Sequence, residues 1–172
     1  MEAAKYEAAE RLRDGRQVTI RALRPGDREG LLEAVANSST RSLYRRFFSP
    51  KRKFTEAEIA FFLNVDFVEH LALVAIVHDE VRPTIVGGAR CIVVQPGRAE
   101  VAFAVVDKYQ GRGLGAALMQ HLVHVARQAG IKELVAEVLA DNSSMMAVFK
   151  RSGLPLSAKQ ENGVLHVVLK LI

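Results

Sequence analysis

Residues 99–115 read AEVAFAVVDKYQGRGLG, an apolar run followed by a turn rich in glycine. The run at 99–106 predicts a strand, and a long amphipathic helix is expected to begin at Leu114. A second apolar segment, ELVAEVL at 133–139, predicts the next strand. Strand, glycine turn, helix and strand in this order form a βαβ unit, so the rest of the fold is expected to build around a parallel strand pair.

The turn is suited to binding an anion. Three alternate glycines, Gly111, Gly113 and Gly115, let the backbone approach a bulky group closely, and Arg112 could supply a cation. The free N–H groups of a helix's first turn attract negative charge. No lysine follows as in a P-loop, and the G-x-G-x-G spacing differs from the dinucleotide fingerprint. An ordinary tight turn is the alternative interpretation.

Three segments carry a family resemblance. QGRGLG after a strand resembles the acetyl-CoA pyrophosphate loop of the GNAT N-acetyltransferases, whose pattern is Gln/Arg-x-x-Gly-x-Gly/Ala. Asn142 and the segment AVFKRSGL at 147–154 match that family's next block. Residues 41–77 resemble the acetyltransferase domain of bacterial protein lysine acetyltransferases of the Pat type. The resemblance covers roughly residues 17–155.

The resemblance implies a fold, a cofactor and an acceptor. The expected fold class is α/β (α+β), with a mixed central sheet of about six to seven strands, splayed at its two central parallel strands and flanked by helices on both faces. Residues 1–172 would form one acetyltransferase domain with an N-terminal extension at 1–16. Acetyl-CoA would be the co-substrate, without a metal. The acceptor would be a lysine of a protein such as an acyl-CoA synthetase, attacking directly in a ternary complex.

Glu100 is the candidate general base. It lies on the strand that leads to the glycine turn, where the wider family commonly places a catalytic glutamate. The alternative is a strand-end carboxylate that faces solvent. The family binds the thioester carbonyl with backbone N–H groups that map to about 103–105, where a bulge, together with the splaying of the parallel strands, would free them from the sheet. The expected coenzyme contacts are Phe103, Ala104, Val105, Gln110, Gly111, Arg112, Gly113, Leu114, Gly115, Ala116, Asn142 and Phe149.

Two of these positions have a further interpretation. Asn142 can reach the coenzyme, act as a helix N-cap, or do both. Phe149 stands where many GNAT proteins have a tyrosine that protonates the departing thiolate, and phenylalanine cannot donate a proton. Pat-type domains tolerate phenylalanine here. A tyrosine-dependent mechanism would therefore need Tyr109 or Tyr44 instead.

Composition sets the remaining bounds. A chain of 172 residues, 49% of them apolar, can build a substantial core. The sequence contains no run of eighteen apolar residues, so no membrane span is expected. The acidic, alanine-rich segment 1–12 does not resemble a secretion signal. The lone Cys91, in an apolar strand, is expected to be a buried small residue rather than a nucleophile. A bacterial, cytoplasmic protein without a membrane partner is expected.

The formal charge of +5 favours an anionic partner. Six basic residues fall within thirteen positions that contain no acid: Arg41, Arg45, Arg46, Lys51, Arg52 and Lys53. A solvated surface, attraction of coenzyme A and docking of an acidic protein all remain open. Nucleic acid is the weaker candidate, because no nucleic-acid motif accompanies the cluster.

Local patterns predict the other elements. We expect a short helix at 2–11 and strands at 18–23, 71–77, 85–94 and 164–171. Gly87 and Gly88, within the third of these strands, suggest a bend or a close approach of the backbone, and Asn162–Gly163 predicts a hairpin turn. Further helices are expected at about 28–36, after a cap within Ser38–Thr40 and ending at Pro50, after a cap at Thr55, and at about 143–152. His121 and His124 lie three apart on the long helix, but no third metal ligand lies nearby in sequence.

Two other functions stay open. The same chemistry could act on a small amine or a protein N-terminus. A coenzyme-A-binding regulatory module without turnover is the non-enzymatic alternative, favoured by Phe149 and opposed by Glu100.

Overall fold

The computed structural model describes residues 2–48, 53–79 and 81–172. Within these ranges, eight strands form one sheet. Their bounds are β1 Glu7–Arg11, β2 Gln17–Ala22, β3 His70–His78, β4 Pro83–Gln95, β5 Arg98–Val105, β6 Glu133–Leu139, β7 Leu156–Glu161 and β8 Val164–Lys170. The helices are α1 Arg28–Ala36, α2 Thr40–Phe47, α3 Glu56–Leu63, α4 Leu114–Gln128 and α5 Ser143–Arg151.

The sheet is mixed and splayed, as the resemblance implied. Its strand order is β1-β2-β3-β4-β5-β6-β8-β7, and of the strands that the structure describes only β5 and β6 are parallel to each other. Those two strands pair from Arg98 to Glu100 and from Glu133 to Val135, after which they separate. Every other neighbouring pair is antiparallel. The gap between β5 and β6 therefore opens in the middle of the sheet.

The N-terminal helix prediction is wrong. Only Glu2–Lys5 is helical, as a 3-10 turn, and Glu7–Arg11 forms β1 against β2, which brings the strands to eight rather than six or seven. Ten residues make a marginal isolated helix. Pairing with β2 and burial of Ala3 and Leu12 stabilise the strand instead.

Helices cover both faces of the sheet. The long helix α4 buries seven residues of its apolar stripe against one face, among them Leu114, Leu118 and Leu122. Helices α1 and α3 contribute to a smaller core on the other face, around Val74 and Ile85. A Cβ on Gly87 would lie 3.0 Å from the Ala104 carbonyl oxygen, which confirms the expected close approach of the backbone there.

Side-chain caps begin the short helices as the sequence predicts. Ser39 and Thr55 accept hydrogen bonds from the backbone N–H groups of Ser42 and Glu58, both at 3.1 Å. Helix α2 ends at Phe47, and the residue that caps it, Phe48, has a φ of +56°. Pro50, the predicted stop, and the basic residues Lys51 and Arg52 lie outside the described residues. Within the described part of the chain, no helix has both the length and the apolar composition needed to span a bilayer.

Candidate active site

A cavity of about 720 Å³ opens where β5 and β6 separate. Residues of helices α1, α2 and α5 and of the glycine turn line it. Twelve of the thirteen residues expected from the sequence line it: Glu100, Phe103, Ala104, Val105, Gln110, Gly111, Gly113, Leu114, Gly115, Ala116, Asn142 and Phe149. One cavity thus brings together the predicted base and the predicted anion loop.

The glycine turn requires its glycines. Gly111 and Gly113 have φ values of +74° and +88°, a region that L side chains rarely adopt. A Cβ on Gly115 would lie 3.1 Å from Cγ2 of Val148 on α5. Helix α4 begins at Leu114, so the N–H groups of its first turn lack an intrahelical acceptor. These free N–H groups are the kind of donors that bind an anion at a helix N-terminus, as the sequence predicts for this turn.

Arg112, the thirteenth residue, is not among those that line the cavity. Its guanidinium forms an ion pair with Asp14 and donates from Nε to the Lys108 carbonyl at 3.2 Å. Arg13 lines the cavity instead, with its Nε 3.4 Å from the position of a Cβ on Gly113. Sequence reasoning missed Arg13, because it lies 100 positions from the turn and no local pattern connects the two.

Hydrogen bonds join α2 to the segment before the turn. The Asp107 carboxylate accepts from the Ser39 backbone N–H and hydroxyl, both at 2.8 Å. Burial opposes ionisation of Asp107, but these bonds outweigh it and lower the pKa of the carboxyl. Gln110 donates from Nε2 to the Val105 carbonyl at 2.9 Å and to the Ser42 hydroxyl at 3.1 Å. Helix α2 is therefore held against the segment that leads into the glycine turn.

The strand donors are exposed by the splay and not by a bulge. The register between β4 and β5 runs without a shift from Phe103 to Val105, and the irregularity lies near Val93. Val106 donates its N–H to Val86 on β4. Because strand backbone groups alternate in direction, Phe103 and Val105 direct theirs toward β6, beyond the last paired residue, Glu100. The predicted bulge at 103–105 is therefore wrong, although the donors it was meant to free face the gap.

Glu100 is exposed and shares the cavity with two arginines that the sequence did not single out as a pair. Burial lowers the pKa of Arg46 to about 10, although the Glu100 carboxylate opposes the shift. Burial and the charge of Arg46 lower the pKa of Arg90 to about 10. Arg46 belongs to the basic cluster in the sequence. Arg90 gave no such signal, because it lies alone within a strand.

A second carboxylate, Glu137, also lines the cavity. It lies on β6, two residues beyond Val135, and is exposed. Its Oε1 is 3.6 Å from Nδ1 of His166 on β8. The cavity therefore has one carboxylate on each of the two separating strands.

None of the tyrosines considered takes the position of Phe149. The Phe149 side chain is buried and packs edge-on against Phe103, with ring centroids 6.0 Å apart. Tyr109 is buried, and its hydroxyl accepts from Arg16 at 3.0 Å. Tyr44 is 45% exposed. A buried phenyl group thus lines the cavity at the position where the sequence resemblance implied a tyrosine in many family members.

Asn142 acts as a helix cap. Its side-chain oxygen accepts from the Met145 N–H at 3.2 Å and so begins α5. The histidines of α4 contact the N-terminal strand: His121 bonds to the Tyr6 hydroxyl, and its Nε2 lies 2.7 Å from a Glu10 oxygen. In the ranges 2–48, 53–79 and 81–172, no three His, Cys, Asp or Glu side chains are grouped to hold a metal ion. Cys91 is buried, and burial raises the pKa of its thiol to about 12.

Sequence comparison identifies relatives of the chain. The model of the acetyltransferase (GNAT) family matches residues 35–154. The protein named acetyltransferase PA5475 from Pseudomonas aeruginosa is 34% identical over 137 residues, which are 79% of this chain and 74% of that protein. Acetyltransferase Pat from Mycolicibacterium smegmatis is 36% identical over 146 residues, 83% of this chain. The match spans only 42% of that longer protein.

Structural comparison gives a similar result. The GNAT domain of S. lividans PAT superposes with a TM-score of 0.86 at 32% identity, over 95% of this chain and 96% of that domain. The splayed mixed sheet is therefore shared with a Pat-type domain along nearly the whole chain.

Proposed function

Because the chain belongs to the acetyltransferase (GNAT) family, we propose that it transfers an acetyl group from acetyl-CoA to a lysine amine of a protein, such as an acyl-CoA synthetase. The observation that carries the proposal is one cavity that contains Glu100, the open strand end and the glycine turn. The resemblance of residues 41–77 to Pat-type protein lysine acetyltransferases, together with the likeness to two proteins named Pat, supports a protein lysine as acceptor. Because β1 extends the same sheet, the chain would act as one acetyltransferase domain.

The glycine turn would bind the coenzyme. The N–H groups at the start of α4 and the glycine backbone at 111–115 suit a diphosphate, which is large and doubly charged. Arg13 lies beside Gly113 and adds a cation that Arg112, paired with Asp14, does not. Asn142 and the apolar surface of Phe149 line the route toward β5.

The gap between the strands would hold the thioester. The N–H groups of Phe103 and Val105 face this gap and would donate to the carbonyl oxygen, where negative charge develops as the amine attacks. At roughly 3.3 Å per residue, the Cα atoms of Glu100 and Phe103 are about 10 Å apart. That spacing leaves room for the acceptor amine and one water between the base and the carbonyl.

Glu100 would remove the proton from the amine. A lysine with a pKa near 10.4 is protonated at neutral pH, and freeing it costs about 4–5 kcal/mol at about 1.4 kcal/mol per pH unit. A positioned carboxylate lowers that barrier, directly or through the water. The amine nitrogen then forms the amide bond, the carbon–sulfur bond breaks, and the thiolate leaves. A thiol of pKa near 8.5 is a good leaving group, so a buried Phe149 in place of an acid is tolerable.

Incubation with acetyl-CoA and purified acyl-CoA synthetases, followed by mass spectrometry of lysines, tests the proposal. We expect acetyl-lysine on a synthetase with wild-type protein and almost none with Glu100→Gln. Acetylation confined to small amines or protein N-termini would favour the second enzymatic function. Binding of acetyl-CoA without Glu100-dependent turnover would favour a regulatory module. A comparison of acetyl-lysine across a bacterial proteome, with and without the protein, would then identify the acceptor.

A further inference from the structure

Two partly buried arginines, Arg46 and Arg90, line the cavity together with Glu100. Arg90, on β4, donates from Nη1 to the Phe62 carbonyl at 3.1 Å, and the same nitrogen lies 2.9 Å from Nε2 of His70. His70 pairs with Ile92, and Ile92 pairs with Glu100. The guanidinium of Arg90 is therefore at the level of Glu100 in the sheet, turned away from the glycine turn.

Arg46 approaches the same place from α2. It lines the cavity, its Cζ is 4.6 Å from the centroid of the Phe47 ring, and it interacts electrostatically with both Glu100 and Arg90. Helix α2 contacts β5, the strand of Glu100. Two guanidinium groups and one carboxylate thus share a small region, which leaves an excess positive charge.

Among the residues that the structure describes, no carboxylate forms an ion pair with Arg46 or Arg90. The partners of Arg90 are a carbonyl, an imidazole and the face of the Phe62 ring. Residues 41–53 contain no acid in sequence either. A desolvated charge without an ion-paired counterion is costly, and the single carboxylate of Glu100 does not offset two guanidinium groups. Such charges cluster at binding sites.

We propose that Arg46 and Arg90 bind a carboxylate that the acceptor carries close to the amine it presents to Glu100. The inference rests on the proposed acetyl transfer and specifies its acceptor class: a lysine with an aspartate or glutamate nearby. A guanidinium–carboxylate contact is directional and strong when desolvated, so it would orient the amine. The coenzyme phosphates are a poorer occupant, because the glycine turn lies beyond the opposite end of β5.

A peptide series tests this subsite with the full chain and acetyl-CoA. Each peptide has one lysine and carries either Glu or Gln at one flanking position. Free amino acids and their α-amides form a second arm, because an α-carboxylate beside an amine has the same chemistry. We expect about tenfold or more faster acetylation of the Glu peptide at one fixed offset. If the protein acetylated free amino acids but neither their α-amides nor the peptides, the result would support the subsite and assign it to a small acceptor.

Substitutions locate the preference. R46Q and R90Q should each bring the Glu-to-Gln rate ratio close to one. R41Q, which removes an exposed charge from the same helix outside the cavity, should retain the ratio. If the wild-type protein acetylated the Glu and Gln peptides at equal rates at every offset, the inference would be overturned while acetyl transfer stood. The inference would also be overturned if R41Q lost the rate ratio as fully as R46Q and R90Q. No transfer to any acceptor would overturn the proposed function together with it.

Discussion

Glu100 on β5 faces Val135 on β6 at the last paired position before the two parallel strands separate. The candidate base therefore lies at the apex of the splay, where the sheet is still continuous. The next backbone donors along β5, Phe103 and Val105, already face the gap. Carboxylate and carbonyl-binding groups are thus held by one strand, which fixes their spacing.

Arg13 rather than Arg112 is expected to assist coenzyme binding. Arg13→Gln should raise the KM for acetyl-CoA about three- to tenfold, because it removes a cation beside Gly113. Arg112→Gln is the matched control, since its guanidinium is already paired with Asp14. Steady-state kinetics at two salt concentrations measure both. A larger effect of Arg112→Gln would restore Arg112 as the coenzyme ligand.

Gly113→Ala should weaken both the fold and coenzyme binding. A φ of +88° is strained for alanine, at a cost of about 1–2 kcal/mol of unfolding free energy. Gly130→Ala is the control, because Gly130 has a φ of +82° and open space around it but lies at the far end of α4. Denaturant unfolding should show a similar loss in both variants. Calorimetry should show weaker acetyl-CoA binding only in Gly113→Ala; equal affinities would contradict a role for this turn in binding.

His70 should make the fold sensitive to acid. Burial and the charge of Arg90 lower its pKa from 6.5 to about 4. Between these values the unfolded chain binds a proton that the folded chain does not, so the unfolding free energy decreases as pH falls. At about pH 5 the loss relative to pH 7.5 should be about 2 kcal/mol. Urea unfolding measures it.

His70→Gln should remove most of that pH dependence, whereas His124→Gln, at an exposed position of α4, should keep it. The pH dependence would have another origin if His70→Gln unfolded with the same profile as the wild-type protein. Neither variant touches the glycine turn, so acetyl-CoA affinity at about pH 7.5 serves as the check that each is folded.

Periodicity and turn chemistry predicted most of the fold. The caps at Ser39 and Thr55, the close approach at Gly87 and the hairpin turn at Asn162–Gly163 are all local signals, and the structure has each of them. The N-terminal strand was not predictable in this way. Its sequence favours a helix locally, and only pairing with β2, a non-local contact, decides otherwise.

The residues that line the cavity were predictable only where a sequence motif or the family resemblance includes them. The glycine turn and Glu100 lie in one short segment, so both were identified. Arg13 and Arg90 come from a loop and a strand with no motif of their own, and only the folded sheet brings them to the cavity. Of the two features expected to expose the donors at 103–105, the structure has the splay between β5 and β6 but not the bulge, because the register between β4 and β5 is regular there.

The central claim is that Glu100 removes the proton from the acceptor amine, and the rate of Glu100→Gln tests it most directly. Glu137→Gln is the matched control, because it removes the carboxylate on the opposite strand of the splay. With the acceptor on which wild-type protein turns over, kcat of Glu100→Gln should fall about 10²–10³-fold at about pH 7.5, with acetyl-CoA affinity unchanged. The deficit should shrink as pH rises toward the pKa of lysine, because the amine then loses its proton unaided. A kcat within about twofold of the wild-type value, or a comparable loss in Glu137→Gln, would contradict the assignment of Glu100 as the base.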